Sequence, residues 1–321
     1  MNVCCVLVTY GNRSRYFKKV VETLINFNQV NNVVIVDNGV SEQSIEELRI
    51  LHQENRNIKI LKPGYNTGSA KGFKIGIDYA IKTDSDYIWL LDDDNLPKED
   101  ALDNLILAMK KLGEMRKKKY ALLSFRPDRE VYKKAIEFNN PSAMLGAHNS
   151  FLGFHISEKF KSLFERSRHV LEIKNKSYGL VTVAPYGGLF FHKSLVRIIG
   201  LPDEKYFLYG DDFDYSYRIT KNCDGIYLVI DSVVNDLEQS FHLKKESEKI
   251  LSNRLMKTNS KDRIFYSVRN GIVFEQNFVS NRFLYIINAF LHISLTFIIL
   301  LLNPKHLWKY KYYIKGIKAS I

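Results

Sequence analysis

The sequence has few of the residues that cross-link small secreted folds. Only three of its 321 residues are cysteines. This number excludes a disulfide-stapled scaffold, and the adjacent pair Cys4 and Cys5 lies in an apolar run typical of buried thiols in a reducing compartment. The first residues also lack a basic stretch and a small-residue cleavage site, so we expect them to form the first strand of the fold and no signal peptide. No internal repeat or low-complexity linker is present.

Composition and length are those of a globular protein. Apolar residues make up 45% and charged residues 26% of the chain. These values disfavour global disorder, a collagen-like repeat and a multi-span membrane protein. The length corresponds to about two average domains, or to one large α/β domain with an appendage.

The net charge of +12 is concentrated towards the C-terminal end. Residues 276–321 contain six basic side chains and no acid, which is half of the excess. A basic excess is typical of proteins that bind nucleic acid, anionic membranes or phosphate-bearing substrates. Because this excess lies beside an apolar stretch and no nucleic-acid-binding module is recognisable, we expect a membrane surface as partner and no nucleic acid.

Strand and helix patterns alternate through the first 112 residues. Short apolar runs end in polar turns, and segments with apolar residues at helical spacing separate them. The predicted strands are 3–9, 33–39, 58–61 and 87–95, and the predicted helices are 16–27, 43–54, 68–82 and 98–112. This βαβ spacing predicts an α/β fold with a parallel sheet flanked by helices, in which ligands bind beyond the carboxyl ends of the strands.

Polar side chains fall at three of the predicted strand ends. They are Thr9 and Tyr10, Asp37 and Asn38, and Asp92, Asp93 and Asp94. Adjacent carboxylates repel one another unless a cation offsets their charge, and Mg²⁺ or Mn²⁺ does so while also binding substrate phosphates. In an extended segment Asp92 and Asp94 point to the same side, which favours them as metal ligands. The alternatives are a solvated acidic turn at residues 92–94 and a simple Asx turn at Asp37.

Residues 66–76, NTGSAKGFKIG, combine three glycines with a predicted helix start. Free N–H groups at such a start bind phosphate, so Asn66, Gly68 and Lys71 are candidates for ligand binding. Close helix packing is the alternative, since the segment is neither a P-loop nor a dinucleotide-binding fingerprint.

The pattern beyond residue 112 is weaker, and residues 113–180 carry little periodicity. Residues 181–191 predict a strand interrupted by Gly187 and Gly188, residues 226–234 a further strand, and residues 260–275 a helix. Asp211, Asp212 and Asp214 open another predicted helix, whose dipole would keep a first-turn carboxylate ionised and able to accept a proton. Simple capping of that helix is the alternative.

Together these segments resemble the family 2 inverting glycosyltransferases, which have the nucleotide-sugar-binding GT-A fold. The resemblance extends over residues 3–275. VTYG and VVIVDNG resemble the nucleotide-binding strands of the family, and LLDDDNLP resembles its metal-binding Asp-x-Asp motif. The segment from YGGLFF to YGDDFDYSYRI resembles the acceptor side, ending in the acidic pair that holds the base.

The resemblance implies a Rossmann-like catalytic domain at residues 1–240, with a donor half at 1–112 and an acceptor half at 113–240, before a helical region at 241–321. It implies Mn²⁺ or Mg²⁺ at Asp92 and Asp94, and Asp212 as general base with Asp211 as its orienting neighbour. The nucleotide-sugar contacts implied are Thr9, Tyr10, Asp37, Asn38, Asn66, Gly68, Lys71, Asp92 and Asp93, and the acceptor-side residues are Gly187, Gly188 and Asp214.

The DDD triplet, NTGSAKGF and FYSVRN are similar to the galactofuranosyl- and rhamnosyltransferase branch of the family. This branch implies a UDP-hexose such as UDP-galactofuranose, or dTDP-rhamnose, as donor, and a lipid-linked or polysaccharide hydroxyl of a bacterial surface glycan as acceptor. A further histidine metal ligand is typical of the branch. The matching position here is Asp236, and His242 is the next candidate.

Residues 283–302 are long and apolar enough to cross a bilayer. Asn288, His292 and Thr296, however, fall on one stripe of a helix. We expect a helix seated in the membrane interface on the cytoplasmic face, with the lysine- and tyrosine-rich tail 303–321 at the headgroups. The alternatives are a helix that spans the membrane and a helix that packs in the core or in a dimer interface. The dimer alternative would make the protein a homo-oligomer.

Two other functions compete with the transferase. A nucleotidyltransferase would need a glycine-rich phosphate loop after the first strand, and VTYGNRSRYF has a single glycine. A basic binding protein without enzymatic activity would need a basic face, whereas the charge here is weighted towards the tail.

Overall fold

The structure is a computed structural model that describes residues 1–115, 119–164, 176–238 and 258–321. The chain divides into two compact units. The first comprises Met1–Met144, Leu171–Phe207 and Asp211–Ser240, and the second comprises Leu145–Val170, Leu208–Gly210 and Phe241–Ile321. The predicted division at residue 240 stays a prediction.

The first unit contains all strands of the described residues. The strands are β1 (Val3–Gly11), β2 (Val30–Val40), β3 (Ile58–Leu61), β4 (Tyr87–Asp92), β5 (Asn95–Pro97), β6 (Ala121–Phe125), β7 (Tyr178–Val181), β8 (Leu189–His192) and β9 (Ile226–Asp236). The helices of this unit are α1 (Ser14–Leu24), α2 (Glu42–Glu54), α3 (Gly68–Ala80), α4 (Ala101–Met115), α5 (Glu130–Glu137), α7 (Val196–Ile199) and α8 (Asp211–Asn222).

The strands form one mixed sheet in the order β3-β2-β1-β4-β8-β6-β9-β5, with β7 paired to β9. The β3, β2, β1 and β4 strands are parallel, as the βαβ spacing predicts, whereas β8 runs antiparallel to both β4 and β6. Apolar side chains on both faces of β1, such as Cys5 and Leu7 on one face and Cys4 and Val6 on the other, belong to two separate buried clusters. The sheet is therefore covered by helices on both sides, which confirms the predicted α/β class.

Strand register brings the polar strand ends together at one edge. Thr9 lies opposite Asp37 in the β1–β2 pair, and Val8 lies opposite Asp92 in the β1–β4 pair. At the far side of the sheet, the antiparallel β5–β9 pair places Asn95 opposite Asp236.

Residues 181–191 do not form the single strand that their apolar pattern predicts. Val181 ends β7, and β8 begins only at Leu189. Between them Gly188 adopts a φ of +97°, a left-handed conformation that favours glycine, and its N–H donates to the Leu90 carbonyl at 2.8 Å. The glycine pair thus forms a turn against β4.

The second unit is helical in its described residues. Its helices are α6 (Ile156–Phe164), α9 (Lys261–Glu275), α10 (Arg282–Leu301) and α11 (Trp308–Lys318). Its core contains Phe151, Ile264, Val268, Ile272, Tyr285 and Tyr313. The α10 helix buries its polar stripe of Asn288, His292 and Thr296, whereas an ordinary amphipathic helix buries its apolar face.

Candidate active site

The three adjacent carboxylates at the end of β4 occupy different surroundings. Asp92 is the last residue of β4, and its side chain is 41% exposed. Asp93 is 4% exposed, and it and Asp94 lie in a turn. The extended backbone therefore ends at Asp92. The turn, and not the alternation of a strand, sets how the Asp92 and Asp94 side chains are oriented.

Arg13, in the loop after β1, contacts two of these carboxylates. Its Nε lies 2.8 Å from both carboxylate oxygens of Asp93, and its Nη2 lies 3.0 Å from Asp94. The guanidinium also pairs with Glu238 at 2.6 Å and lies 5.6 Å from the ring centre of Tyr10. Sequence reasoning missed Arg13, although it follows the singled-out VTYGN segment directly.

Arg13 offsets the negative charge of this turn only in part. Burial raises the pKa of Asp93 to about 6, against the pull of Arg13. Burial and the neighbouring Asp92 and Asp93 carboxylates raise the pKa of Asp94 to about 7. Further positive charge is therefore favourable at Asp92 and Asp94, and two carboxylates combined with waters and phosphate oxygens are an ordinary donor set for Mg²⁺ or Mn²⁺. These two side chains fit the implied cation.

Asp236 has different partners from those of a metal ligand. One of its oxygens accepts from Asn95 Nδ2 at 2.9 Å, and the other accepts from Arg129 Nη2 at 2.7 Å. Arg126 Nη1 lies 3.5 Å away. Among the described residues, no group of three or more histidine, cysteine or acidic side chains is arranged to hold a metal ion. His242, the other candidate, lies outside the described residues.

Gly187 and Gly188 lie against this network. The carbonyl of Gly187 accepts from Arg126 Nη2 at 2.9 Å. A Cβ on Gly187 would come within 2.0 Å of Asn95 Oδ1 and 2.5 Å of Asp92 Oδ2. The resemblance implies an acceptor-side position for both glycines, whereas Gly187 lies beside the donor-side carboxylate of Asp92.

The predicted ligand contacts at the end of β2 are largely structural. Asp37 accepts from the N–H groups of Gly39 and Val40 at 3.2 and 3.0 Å, which is the Asx-turn alternative. Asn38 is 3% exposed, and its amide oxygen accepts from both the N–H and the hydroxyl of Thr67 at 2.8 Å. Its amide nitrogen donates to the Gly68 carbonyl at 3.0 Å. Asn38 thus holds the 66–68 loop and has little capacity left for a ligand.

The N-terminus of α3 is not the open phosphate site that the sequence predicts. The N–H of Ala70 donates to the carbonyl of Phe207 at 3.3 Å, and a Cβ on Gly68 would lie 2.1 Å from that carbonyl oxygen. Asn66 accepts the N–H of Gly68 at 3.0 Å. Lys71 pairs with Glu204 at 3.4 Å. The helix start is therefore closed by protein groups, and its glycine permits the close approach.

The second acidic cluster begins α8. Asp211 is 2% exposed and accepts from Ser69 Oγ at 2.8 Å. Burial and the neighbouring Asp212 raise the pKa of Asp211 well above its usual range. Asp212 is more exposed, and its carboxylate accepts the N–H of Phe213 at 2.8 Å. Asp214 pairs with Arg218 at 3.1 Å, which indicates a structural role rather than an acceptor contact.

Contacts of α3 place the acidic pair of α8 at the same edge of the sheet as Asp92. Ser69 in the first turn of α3 donates to Asp211, and Asn38 at the end of β2 holds the loop before α3. The ends of β2, β1 and β4 lie side by side, since Thr9 is opposite Asp37 and Val8 is opposite Asp92.

Residues that the sequence left unassigned complete this site. Asn95 is 1% exposed and hydrogen-bonds with Asp92, Asp236 and Arg126. It directly follows the acidic triplet in the sequence, and this position was the signal that could have identified it. Arg126 and Arg129 follow β6 in the stretch that lacks periodicity. The available signal was their position after the short apolar run ALLSF, where a strand end is expected to carry functional side chains.

Residues 4–151 match the family model described as glycosyl transferase family 2. The matched segment contains β1 to β6 and therefore the acidic triplet, Arg13 and Arg126. The match is restricted to the first part of the chain, so it does not include the acidic pair of α8. No curated protein matches the sequence.

Several solved glycosyltransferases are similar to the chain in fold. A structure of GalNAc-T7 with UDP, GalNAc and Mn²⁺ has a TM-score of 0.55 at 15% identity over 85% of this chain and 48% of that one. The Pyrobaculum calidifontis mannosyltransferase PcManGT with GDP-Man and Mn²⁺ has a TM-score of 0.51 at 13% identity over 99% and 86%. Staphylococcus aureus TarS 1-349 with UDP has a TM-score of 0.52 at 13% identity over 99% and 92%.

At these identities the likeness shows the fold alone, a central sheet flanked by helices as in GT-A glycosyltransferases. The chain spans about half the length of GalNAc-T7. The family match to residues 4–151 and this likeness in fold point to the same class of protein.

Proposed function

We propose that the protein transfers a sugar from a nucleotide-sugar to a hydroxyl group, with inversion at the anomeric carbon. The observation that carries the proposal is the union of two carboxylate clusters in one site. Asp92 and Asp94 stand on the donor side, and Asp211 and Asp212 stand at the start of α8. Ser69 of α3 joins the two sides: its hydroxyl donates to Asp211 at 2.8 Å, and Asn38 at the end of β2 holds the loop before α3.

The two members of the α8 pair are assigned different tasks. Asp211 is buried and its raised pKa favours the protonated form, so we assign to it the role of orienting its neighbour. Asp212 is more exposed and lies in the first turn of a helix, where the dipole stabilises its charge. We assign to Asp212 the removal of the acceptor hydroxyl proton as the oxygen attacks the sugar. Such assistance contributes about 10²–10⁴-fold to the rate.

The donor-side groups are assigned to the nucleotide. Asp92 and Asp94 would hold a Mn²⁺ or Mg²⁺ ion, and such an ion would supply positive charge to the diphosphate of the leaving nucleotide. Arg13 orients Asp93 and Asp94, and Tyr10 offers a ring that is 43% exposed to the base or ribose. For the donor we propose a UDP-hexose such as UDP-galactofuranose, or dTDP-rhamnose, on the strength of the NTGSAKGF and FYSVRN segments.

A panel of nucleotide-sugars with Mn²⁺ and with Mg²⁺ tests the proposal, read by thermal shift and by release of the nucleoside diphosphate. We expect one UDP- or dTDP-sugar to raise Tm and to release its nucleotide, and Asp212→Asn to keep the shift and lose the release. Pyrophosphate release from a nucleoside triphosphate and a sugar phosphate would instead identify a nucleotidyltransferase.

We further propose that the second unit seats the enzyme on the cytoplasmic face of a membrane and that the acceptor is lipid-linked. Asn288 bonds to the backbone at Asn149 and Ile156, and His292 bonds to the Tyr313 hydroxyl at 2.7 Å, so the polar stripe of α10 is satisfied by protein. The opposite face is apolar and open, with Phe283 75% and Phe290 69% exposed.

This arrangement favours an interfacial helix over the alternatives. The α10 helix is the one described helix long and apolar enough to cross a membrane, and 22% of its most apolar window is buried in the protein. A core helix would be mostly buried, and a spanning helix would leave the lysine-rich tail and the catalytic unit on opposite sides. A helix held to protein by polar contacts and open to lipid on its apolar face satisfies both conditions.

A further inference from the structure

Asp236 is a buried carboxylate whose two oxygens are already in use. Its side chain is 4% exposed. Arg129 donates to one oxygen at 2.7 Å, and Asn95 donates to the other at 2.9 Å, with Arg126 at 3.5 Å. Two guanidinium groups thus neutralise one carboxylate, which leaves no net negative charge at this point to attract a divalent cation.

Arg126 connects Asp236 to the donor-side carboxylate Asp92. It is 3% exposed, and its Nη2 donates to Asn95 Oδ1 at 2.6 Å and to the Gly187 carbonyl at 2.9 Å. The same nitrogen lies 3.3 Å from Asp92 Oδ2. A fixed cation therefore already stands between the two carboxylates that the sequence assigned to one metal ion.

The shape of the neighbouring backbone agrees with this arrangement independently of the hydrogen bonds. A Cβ on Gly187 would lie 1.8 Å from Arg126 Nη2. The absence of a side chain at position 187 thus leaves the space that the guanidinium fills.

We propose that Asp236 is the counter-ion of Arg126 and Arg129 rather than a metal ligand. The protein then supplies two carboxylates to the cation, Asp92 and Asp94, and a buried arginine takes the place of the expected third protein ligand at Asp92. The part of this inference that concerns cation binding rests on the proposed transfer reaction. The ion pairs of Asp236 with the two arginines do not depend on that reaction.

Two measurements on the full chain test the proposal. The first is Mn²⁺ affinity in the presence of UDP, followed by the EPR signal of free Mn²⁺ against a protein-free blank. Because its charge is screened by the arginines, Asp236→Asn should change the Mn²⁺ dissociation constant by less than about threefold. Asp94→Asn removes a proposed metal ligand and should raise the Mn²⁺ dissociation constant by about tenfold or more. Equal losses in the two variants would overturn the proposal.

The second measurement is thermal stability. Removing one partner of a buried ion pair leaves the other uncompensated, so Asp236→Asn should lower Tm by more than about 5 °C. Asp128→Asn is the matched control, because its carboxylate is 37% exposed and lies 3.9 Å from Arg129. Its Tm should stay within about 1 °C of the wild type. An unchanged Tm in Asp236→Asn would contradict the counter-ion role.

Arg129→Gln is the second variant, for the case that Asp236→Asn does not fold. If Asp236 is a counter-ion, this variant should have a lower Tm and an unchanged Mn²⁺ affinity. If Asp236 is instead a metal ligand that Arg129 holds away from the metal, the substitution would release Asp236 and Mn²⁺ would bind more tightly, and that result would overturn the proposal. Failure of the wild type itself to bind Mn²⁺ with UDP would instead count against the proposed cation, while the Tm comparison still tests the ion pair.

Discussion

Ser69, in the first turn of α3, donates a hydrogen bond of 2.8 Å to the carboxylate of Asp211, the first residue of α8. The contact joins the loop that Asn38 holds at the end of β2 to the acidic pair proposed to contain the base. The hydrogen bond itself lowers the pKa of Asp211, but burial and the neighbouring Asp212 raise it by more. Asp211 is enclosed and its pKa is raised by burial, whereas Asp212 keeps access to the surface.

Asp211→Asn should stabilise the protein at alkaline pH. The pKa of Asp211 is raised in the folded state by burial and by Asp212, so the stability it contributes is present below its unfolded pKa and is lost as pH rises through its folded pKa. An amide cannot ionise and can still accept from Ser69. The Tm of the variant should exceed that of the wild type at about pH 9, and the difference should narrow as pH falls towards about 4, the unfolded pKa.

Asp78→Asn is the control for this comparison, because Asp78 is exposed on α3 and pairs with Lys82. Its Tm difference from the wild type should not grow between the two pH values. A lower Tm for Asp211→Asn at alkaline pH would show that the ionised carboxylate is the favoured form.

Asp212→Asn should keep donor binding and lower turnover by about 10²-fold or more, because the acceptor hydroxyl loses its proton acceptor while the fold is little changed. Nucleotide release and thermal shift with the donor measure the two properties separately. Asp214→Asn, two residues along the same helix and paired with Arg218, is the matched control and should keep most of its turnover. If Asp211→Asn loses turnover and Asp212→Asn does not, the two roles are exchanged.

Asp94→Ala should abolish transfer and the metal-dependent binding of the nucleotide-sugar. The side chain carries a raised pKa caused by burial and by two neighbouring carboxylates, so it is placed to gain from a cation. Donor titration with and without Mn²⁺ is the measurement. Asp103→Ala, an exposed acid in the first turn of α4, should bind donor normally. Full activity of Asp94→Ala in the presence of a chelator would exclude the assigned role.

The sequence was sufficient for the layout of residues 1–112 because the signals there are local. Apolar runs and helical spacing along residues 1–112 predicted β1 to β4 and α1 to α4 to within a few residues. They also placed Asp37 and Asp92 at strand ends, where they are found. The sequence did not show that β4 ends at Asp92, so the argument from extended backbone geometry does not reach Asp94.

The charge partners in the site could not be read from the sequence, since they are set by contacts between distant segments. Arg13 and Asp93 are 80 residues apart, and Arg129 and Asp236 are 107 apart. Arg126 also lies in a stretch with little periodicity, so no pattern marked it. The closure of the α3 N-terminus by Phe207 has the same origin, because glycine at position 68 fits both a phosphate and a carbonyl oxygen.

Gly187→Ala should be strongly destabilising. The new Cβ would lie 1.8 Å from Arg126 and 2.0 Å from Asn95, both of which are buried and hydrogen-bonded. Forcing extra volume into such a place costs about 1–3 kcal/mol. Gly113→Ala is the control, because position 113 is inside α4 with only the Tyr120 hydroxyl nearby at 3.4 Å, and alanine is favoured over glycine there by about 1 kcal/mol. Chemical denaturation should therefore shift the two variants in opposite directions.

The exposed face of α10 should anchor the protein to lipid. Replacing Ile286 and Phe290 together by glutamine removes apolar surface at 59% and 69% exposure, and each side chain fully transferred to lipid is worth about 1.5–3 kcal/mol. Co-sedimentation with liposomes should fall sharply while the melting transition is kept. Point substitutions are preferable to removal of the segment, because Tyr285 and Tyr313 belong to the core of the second unit.

Charge should contribute separately to that binding. The exposed Lys305, Lys311, Lys315 and Lys318 should each add about 1 kcal/mol near anionic lipid, and this part should weaken with salt. A fourfold lysine-to-glutamine variant should therefore bind neutral liposomes like the wild type and lose its preference for anionic ones. Glutamine at Ile286 and Phe290 should weaken binding to both kinds. If the Ile286 and Phe290 variant sedimented like the wild type with both kinds of liposome, the apolar face would not be the lipid anchor. The face would then be expected to bind a second copy of the chain, and a molecular mass that rises with protein concentration would show this.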